Sequence, residues 1–257
     1  YIETGRSAMV FLTMSSPFLT HYDSVSIRNT FLNYAKISLV ASTGETEVLT
    51  LFRENKFFPP FVYKSVGIKG VEGESYQLKI EVKGKVVTAE TTIPPAEEVL
   101  NTRFNAVTDT TGILEFATRA PVSGAYYLFT RMRSHLNHED FHPSYLPVAE
   151  VSDSQGSFVW HTVFRSSEFN YYLANPESSY YNGYSAFEYD LRDTVDIIVG
   201  TVDSISYRVI KSLFVDRSNQ ENPFAFNGNR IETNINGGIG RWTGIGYNGV
   251  KVAVAEN

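Results

Sequence analysis

The chain has 257 residues, 42% of them hydrophobic and 19% charged, which is enough apolar material for a packed core and argues against global disorder. The formal net charge of −6 argues against binding to nucleic acid or to an anionic membrane surface, because both require a basic footprint. The sequence contains no cysteine, which excludes disulfides, cysteine nucleophiles and thiolate metal sites.

The first third of the chain predicts a series of short strands. Aromatic residues make up 14% of the sequence and favour β structure, because they suit a half-buried pleated surface. In the segment 76–82 every second residue is apolar, which is typical of an antiparallel sheet with one buried face. Lys83 and Gly84 form a turn, and Pro94 with Pro95 ends the pairing because proline has no N–H to donate. The predicted strands are 8–14, 35–40, 47–52, 76–82 and 86–93.

Tyr76 stands at the start of the clearest strand, shortly after Gly73. A tyrosine in this position resembles the tyrosine corner of immunoglobulin and fibronectin type III sandwiches, and the alternative is an ordinary core tyrosine. Together with the strand spacing, this residue favours a β-sandwich for residues 1–95.

The strand pattern begins again after residue 95. A helix is predicted near 204–214, where Ile205, Val209 and Leu213 recur at helical spacing and Asp203 or Ser204 can cap the first turn. Two long loops, 133–147 and 168–184, are expected to be functional or mobile. The predicted strands of this part are 113–117, 125–132, 156–164, 186–191 and 195–202.

These elements predict an all-β protein of two tandem β-sandwich domains. The first, residues 1–95, is immunoglobulin-like or fibronectin III-like. The second, residues 96–257, is a larger β-sandwich with one α-helix and long loops.

Three of the five histidines, His135, His138 and His142, fall within eight residues, with Glu139 and Asp140 between them. Imidazole and carboxylate groups together are ligands for Zn²⁺ or Cu²⁺, so this segment is a candidate metal site. The alternative is a solvated polar loop, since the segment follows a predicted strand and precedes Pro143.

The predicted loop 168–184 is rich in tyrosine, asparagine, serine and glycine. This composition is typical of binding loops, because tyrosine stacks and hydrogen-bonds at a low cost in entropy. We expect it to contact a glycan, a peptide or a partner protein, and the alternative is that it covers an edge of the core. The candidate binding residues are Tyr171, Tyr172, Tyr180, Tyr181 and Tyr184.

Two other motifs predict no ligand. Asp190, Asp193 and Asp196 recur at every third position, whereas a calcium loop spaces its ligands more closely, so a solvated start of a strand is expected. The glycines of 244–249 fit the pattern G-x-G-x-x-G. A dinucleotide site requires a helix after this pattern, and none is predicted there. The preceding stretch 234–240 predicts a tight turn that returns the chain to the second sandwich.

The end of the chain carries a family resemblance. Asn222-Pro223-Phe224 followed by 233–240, TNINGGIG, resembles the C-terminal part of a Bacteroidetes surface lipoprotein family of unknown function, domain-of-unknown-function family four-two-four-nine. The stretch 10–18, a strand that ends in Ser-Ser-Pro-Phe, and the stretch 91–94 are similar to the family's start and domain junction. Arg241-Trp242 departs from the aromatic and further glycine usual there.

The resemblance covers nearly the whole chain and implies an exported lipoprotein of the outer membrane and cell surface. Its lipid anchor would precede this chain, and its gene would lie beside that of a TonB-dependent outer-membrane transporter. The resemblance implies no established activity and no catalytic residues.

We therefore predict a non-catalytic surface module that binds a glycan, peptide or partner in association with a TonB-dependent transporter. It would need no cofactor, bind no nucleic acid and touch the membrane only through its N-terminal lipid anchor. The alternatives are a structural or adhesion protein of the cell surface and, third, a metal-dependent enzyme at the histidines.

Overall fold

The computed structural model describes residues 1–14, 24–55, 59–152, 157–165, 188–220 and 232–254. Within them the protein is mostly β-strand, which confirms the predicted all-β class. In chain order the elements are β1 (Ile2–Glu3), β2 (Ser7–Val10), α1 (Ser24–Asn29), β3 (Lys36–Ala41), β4 (Thr46–Val48), β5 (Thr50–Arg53), β6 (Phe61–Lys69), β7 (Ser75–Val82), β8 (Lys85–Thr92), β9 (Asn101–Ala106), β10 (Thr111–Arg119), β11 (Ala125–Ser134), β12 (His142–Ser152), β13 (Phe158–Thr162), β14 (Tyr189–Asp190), β15 (Thr194–Val202), α2 (Ser204–Gln220), β16 (Ile235–Asn236), β17 (Gly244–Tyr247) and β18 (Lys251–Val254).

The chain forms two compact units. The first consists of Tyr1–Pro94 and Glu232–Ile245, and the second of Pro95–Ile231 and Gly246–Asn257. This division differs from the prediction in one respect, because the segment 232–245 belongs to the first unit. The predicted return of 234–240 to the second sandwich is therefore wrong.

The first unit contains two antiparallel sheets. The larger has the strand order β16-β8-β7-β3-β4 and the smaller has the order β2-β6-β5. The predicted single strand 47–52 is divided at Leu49, which is buried and donates its N–H to Ile37 O at 2.8 Å. The residues before Leu49 pair with β3 and those after it pair with β6, so the chain changes sheet within one extended stretch.

Tyr76 forms a tyrosine corner in the first unit, one of the two alternatives that the sequence left open. Its ring is fully buried, and its hydroxyl accepts a hydrogen bond from Val71 N at 2.9 Å and donates one to Lys69 O at 3.2 Å. These bonds join the start of β7 to the end of β6, as the hydroxyl of a tyrosine corner bonds to backbone a few residues upstream. Burial raises the pKa of this phenol, so the hydroxyl stays protonated as a donor.

Trp242 completes the core of the first unit from the far end of the sequence. Its indole is 1% exposed, and Nε1 donates to Tyr76 O at 2.9 Å. Asn234 holds the Trp242 backbone at both polar groups, since Asn234 Oδ1 accepts from Trp242 N at 2.9 Å and Asn234 Nδ2 donates to Trp242 O at 2.6 Å. The pairing of β16 with β8 secures the same segment, which explains why it joins the first unit.

The second unit also contains two sheets. In one, β15 lies between β11 on one side and β17 with β18 on the other, and β12 pairs with the outer side of β11. In the other, β10 pairs with β9, β13 and β14. The buried side chains between these strands include Leu114, Phe116, Leu128, Met132 and Ile197. This arrangement agrees with a second β-sandwich.

Helix α2 confirms the helix that the sequence predicts near 204–214, and it continues to Gln220. Asp203 caps its start, because its Oδ1 accepts a hydrogen bond from Ser206 N at 2.6 Å. The six-residue helix α1 was not predicted. Neither helix, in the part of the chain that the structure describes, is long and apolar enough to cross a membrane.

The predicted long loop 133–147 is wrong. Strand β11 continues through Ser134 and β12 begins at His142, so only residues 135–141 connect the two strands. The left-handed backbone of His138, with φ 53°, allows this connection to turn tightly.

Candidate functional site

The first unit contains a cavity of about 670 Å³, a volume typical of small-molecule sites. Its walls come mainly from four separate segments: residues 9–14, residues 32–34, the β7–β8 hairpin and residues 235–243. All four belong to the first unit, so the cavity depends on the return of the chain's end to that unit.

The inner wall of the cavity is apolar core. Leu78 and Ile80 point inward from β7 at alternate positions, and Trp242 lies among the same lining residues. At the rim, apolar side chains remain in water: Phe11 is 43% exposed and Ile239 is 77% exposed. An apolar wall that continues to an exposed apolar rim is typical of a binding site.

The glycine-rich stretch forms part of one wall. Gly237 has a φ of 84°, and a Cβ there would lie 2.9 Å from Val86 O, so only glycine allows this approach to β8. Thr233 Oγ1 donates to Gly240 O at 2.8 Å and accepts from Gly240 N at 3.2 Å, which closes the stretch into a loop. The glycines therefore shape a wall of the cavity.

The cavity was not predicted from the sequence. Lys83 and Gly84 were interpreted only as a hairpin turn, and the segments 9–14 and 235–243 were assigned to different domains. The alternation in β7 identifies Leu78 and Ile80 as buried, but no local pattern predicts that four distant segments enclose a space.

The second unit contains a polar cluster around the connection between β11 and β12, where the three candidate histidines lie. His135 Nε2 is 3.0 Å from Asp196 Oδ2, and His142 Nε2 is 3.1 Å from Glu139 Oε2. No group of three histidine or carboxylate side chains in the described ranges is arranged to hold a metal ion. His135 and His142 each contact a different carboxylate. The three candidate histidines therefore do not form one metal site in the described part of the chain.

The aspartates that the sequence predicts as solvated are buried, so that prediction is wrong. Asp190, Asp193 and Asp196 are 4%, 2% and 3% exposed. Asp193 Oδ2 accepts from Ser134 Oγ at 2.5 Å, and Asp193 Oδ1 accepts from Leu136 N at 2.9 Å. A buried carboxylate needs such donors, and here Asp193 fixes the path of the chain as it leaves β11.

Hydrogen-bond donors lower the pKa of two carboxylates in this cluster. Burial raises the pKa of Asp196, but hydrogen bonds from His135 and Arg133 outweigh it, so the pKa is lowered overall. Burial likewise acts against Glu139, whose pKa is nevertheless lowered by His142, Ser134 N and Arg165. The polar contacts of Asp196 and Glu139 join the connection between β11 and β12 to β15, to β12 and to the segment after β13. Their role is to stabilise this part of the fold.

A half-buried histidine on β13 gives the second unit a distinct pH dependence. His161 Nε2 lies 2.8 Å from Thr118 Oγ1, its ring stacks on Phe116 at 4.9 Å, and burial lowers its pKa to about 4. Because the unfolded chain binds this proton near pH 6.5, unfolding takes up a proton between pH 6.5 and 4. Stability should therefore fall as the pH is lowered through that window.

We expect His161→Gln to reduce the loss of stability between pH 6.5 and 4, measured by urea unfolding at several pH values. The matched control is His138→Asn, because His138 is exposed and asparagine tolerates its left-handed backbone. This variant should keep the wild-type dependence of stability on pH. Equal slopes for wild type and His161→Gln would contradict the assignment.

The candidate binding residues Tyr171, Tyr172, Tyr180, Tyr181 and Tyr184 lie outside the described residues, and their role stays a prediction.

Comparison with known proteins relates the two units to a family. A family model described as "Domain of unknown function (DUF4249)" matches residues 1–247. The chain belongs to this family. The match includes both the first unit and the greater part of the second, so the cavity and the polar cluster lie within the DUF4249 region.

Curated proteins give no match to this DUF4249 chain. Among solved structures, a two-domain fibronectin type III segment from chicken tenascin is similar, with 10% identity over 77% of this chain and 85% of that one. The TM-score is 0.21, so the fold assignment rests on the strands and sheets of this DUF4249 protein itself.

Proposed function

We propose that the protein is a non-catalytic binding module of the cell surface that captures a ligand in association with a TonB-dependent outer-membrane transporter. The observation that supports binding is the cavity of about 670 Å³ in the first unit. It combines an apolar wall with a small number of polar groups at the rim, which is the usual composition of a small-molecule site.

The polar cluster of the second unit supports a non-catalytic function less directly. Its buried carboxylates accept hydrogen bonds or form ion pairs that join strands, as Asp193 does with Ser134 and Asp196 with Arg133. Groups held in this way stabilise the connection after β11, and the cavity remains the better candidate for recognition.

The export, the lipid anchor and the transporter come from the family resemblance of the sequence. Together with a ligand cavity they describe an accessory protein that presents a ligand for uptake. Co-purification of a TonB-dependent transporter with the tagged protein from native outer membranes tests this part. Recovery of no such transporter would contradict it and leave the cavity prediction to be judged separately.

Two neighbouring valines on β8 provide the test of the cavity. Val87 lines the cavity, whereas Val86 is 53% exposed and is absent from the lining. Successive residues of a strand point to opposite faces, so a large side chain fills the cavity at one position only. We expect saturable binding of the neutral fluorescent probe N-phenyl-naphthylamine to wild type and to Val86→Trp.

The same titration should show at least a tenfold weaker binding of the probe by Val87→Trp, since the added indole occupies the space of the ligand. Far-UV circular dichroism of both variants verifies that the fold is retained. Equal binding by the two tryptophan variants would show that the probe binds elsewhere and would contradict the proposed site.

A further inference from the structure

We propose that the ligand of the cavity is an amphipathic anion, with an apolar or aromatic group inside and a negatively charged head at the rim. This inference rests on the proposed function, since it assumes that the cavity is a binding site. It specifies the chemistry of the ligand through the charge and the backbone geometry of the rim.

The charged residues of the cavity have one sign. Lys83, Lys85 and Arg241 line it, and no aspartate or glutamate occurs among the lining residues that the structure describes. The whole chain, in contrast, has 28 acidic and 22 basic residues. A purely basic rim on an acidic protein concentrates positive potential at the cavity, where it favours an anion over a neutral or cationic group.

Lys83 occupies a backbone conformation that lysine rarely adopts. Its φ is 48°, and Gly84 beside it has a φ of 73°, so both central residues of the β7–β8 turn are left-handed. Asparagine or glycine suits the first position of such a turn much better than lysine. A strained residue of this kind points to a role for its side chain beyond the turn.

The position of the Lys83 ammonium fits that role. Nζ lies 5.3 Å from the ring centroid of Tyr34, which also lines the cavity. The aromatic face holds the cation near the rim, and Lys85 follows two residues later at the start of β8. An anionic head placed between these lysines leaves the apolar part of the ligand directed at the wall formed by Leu78 and Ile80.

Two probes with the same phenyl-naphthylamine skeleton separate charge from apolar binding. N-phenyl-naphthylamine is neutral, and anilinonaphthalene sulfonate adds one negative charge. We expect wild type to bind the sulfonate more tightly than the neutral probe at low salt. Lys83→Asn and Lys85→Gln should each weaken sulfonate binding about two- to fivefold while neutral binding stays unchanged.

The variants are chosen so that a loss of binding is not caused by a loss of folding. Lys83→Asn places a residue that favours the left-handed turn, so its stability to urea should equal or exceed that of wild type. Lys79→Gln removes an exposed lysine of β7 that is absent from the cavity lining and should leave both affinities unchanged.

The outcomes separate this inference from the proposed function. Selective weakening of sulfonate binding by the two rim variants supports the amphipathic anion. Equal affinities for both probes, insensitive to Lys83→Asn and Lys85→Gln, would overturn the inference and leave an apolar binding site standing. Binding of neither probe would overturn both.

Discussion

Replacing Trp242 with alanine should lower the free energy of unfolding of the first unit by about 3–5 kcal/mol, the usual cost of removing a large buried aromatic side chain. The indole is 1% exposed, and its Nε1–H donates to Tyr76 O, a hydrogen bond that the variant also loses. Since a domain is stable by only about 5–15 kcal/mol, this change should remove a large share of the stability of the first unit. Urea unfolding followed by far-UV circular dichroism measures it.

Trp160 is the matched control, because the chain contains only these two tryptophans. It lies on β13 with 38% of its surface exposed, and its ring stacks with the Arg103 guanidinium at 3.8 Å. We expect Trp160→Ala to cost about 1 kcal/mol. A similar loss in both variants would contradict the assignment of Trp242 to the core of the first unit.

Asp193→Ala should have the second largest effect and lower the stability of the second unit by about 2–4 kcal/mol. The variant leaves Ser134 Oγ and Leu136 N without the buried acceptor that Asp193 supplies to both. An unpaired buried donor costs much more than the net value of the bond that it loses. Denaturant unfolding gives the total loss, and amide exchange at Leu136 shows whether the connection after β11 opens.

Asp193→Asn tests the cause of that loss. Asparagine retains an oxygen that accepts from Leu136 N, but Ser134 Oγ already accepts from Asn137 N and Nδ2 and cannot take a third donor. We therefore expect a loss smaller than that of alanine but larger than zero. Asp109, an exposed residue of the turn before β10, is the control, and Asp109→Ala should change stability by less than about 0.5 kcal/mol. Equal losses for the alanine and asparagine variants would contradict a hydrogen-bonding role.

Local patterns predicted the parts of the fold that local chemistry determines. The alternation of 76–82 identified β7 and its buried face, and the position of Tyr76 indicated a tyrosine corner as one of two alternatives. Asp203 and the apolar spacing after it located helix α2. In each case the residues that decide the structure are neighbours in sequence, so a period or a cap is sufficient to recognise it.

The errors arose where distant contacts decide the structure. The segment 232–245 joins the first unit because Trp242 fills its core and β16 pairs with β8, neither of which a glycine-rich stretch reveals. Asp193 and Asp196 were interpreted as solvated because their partners, Ser134 and Arg133, lie about 60 residues earlier. Charge spacing alone does not distinguish a solvated strand start from a buried network.

The candidate site was the least predictable feature. Its walls come from four separate segments, whereas the sites predicted from the sequence were the histidines and the tyrosine-rich loop. One signal could have identified part of it: lysine at the first position of a turn that favours asparagine or glycine. That residue conflicts with local preference, and such conflicts are concentrated at functional positions.

Quenching of Trp242 fluorescence tests the central claim, that the cavity of the first unit binds a ligand, most directly. Trp242 lines the cavity, and in Trp160→Phe it is the sole tryptophan of the chain. Titration of that variant with N-phenyl-naphthylamine should quench the Trp242 emission saturably, with the midpoint at which the probe's own fluorescence rises. Probe binding without quenching of Trp242 would contradict the cavity as the binding site.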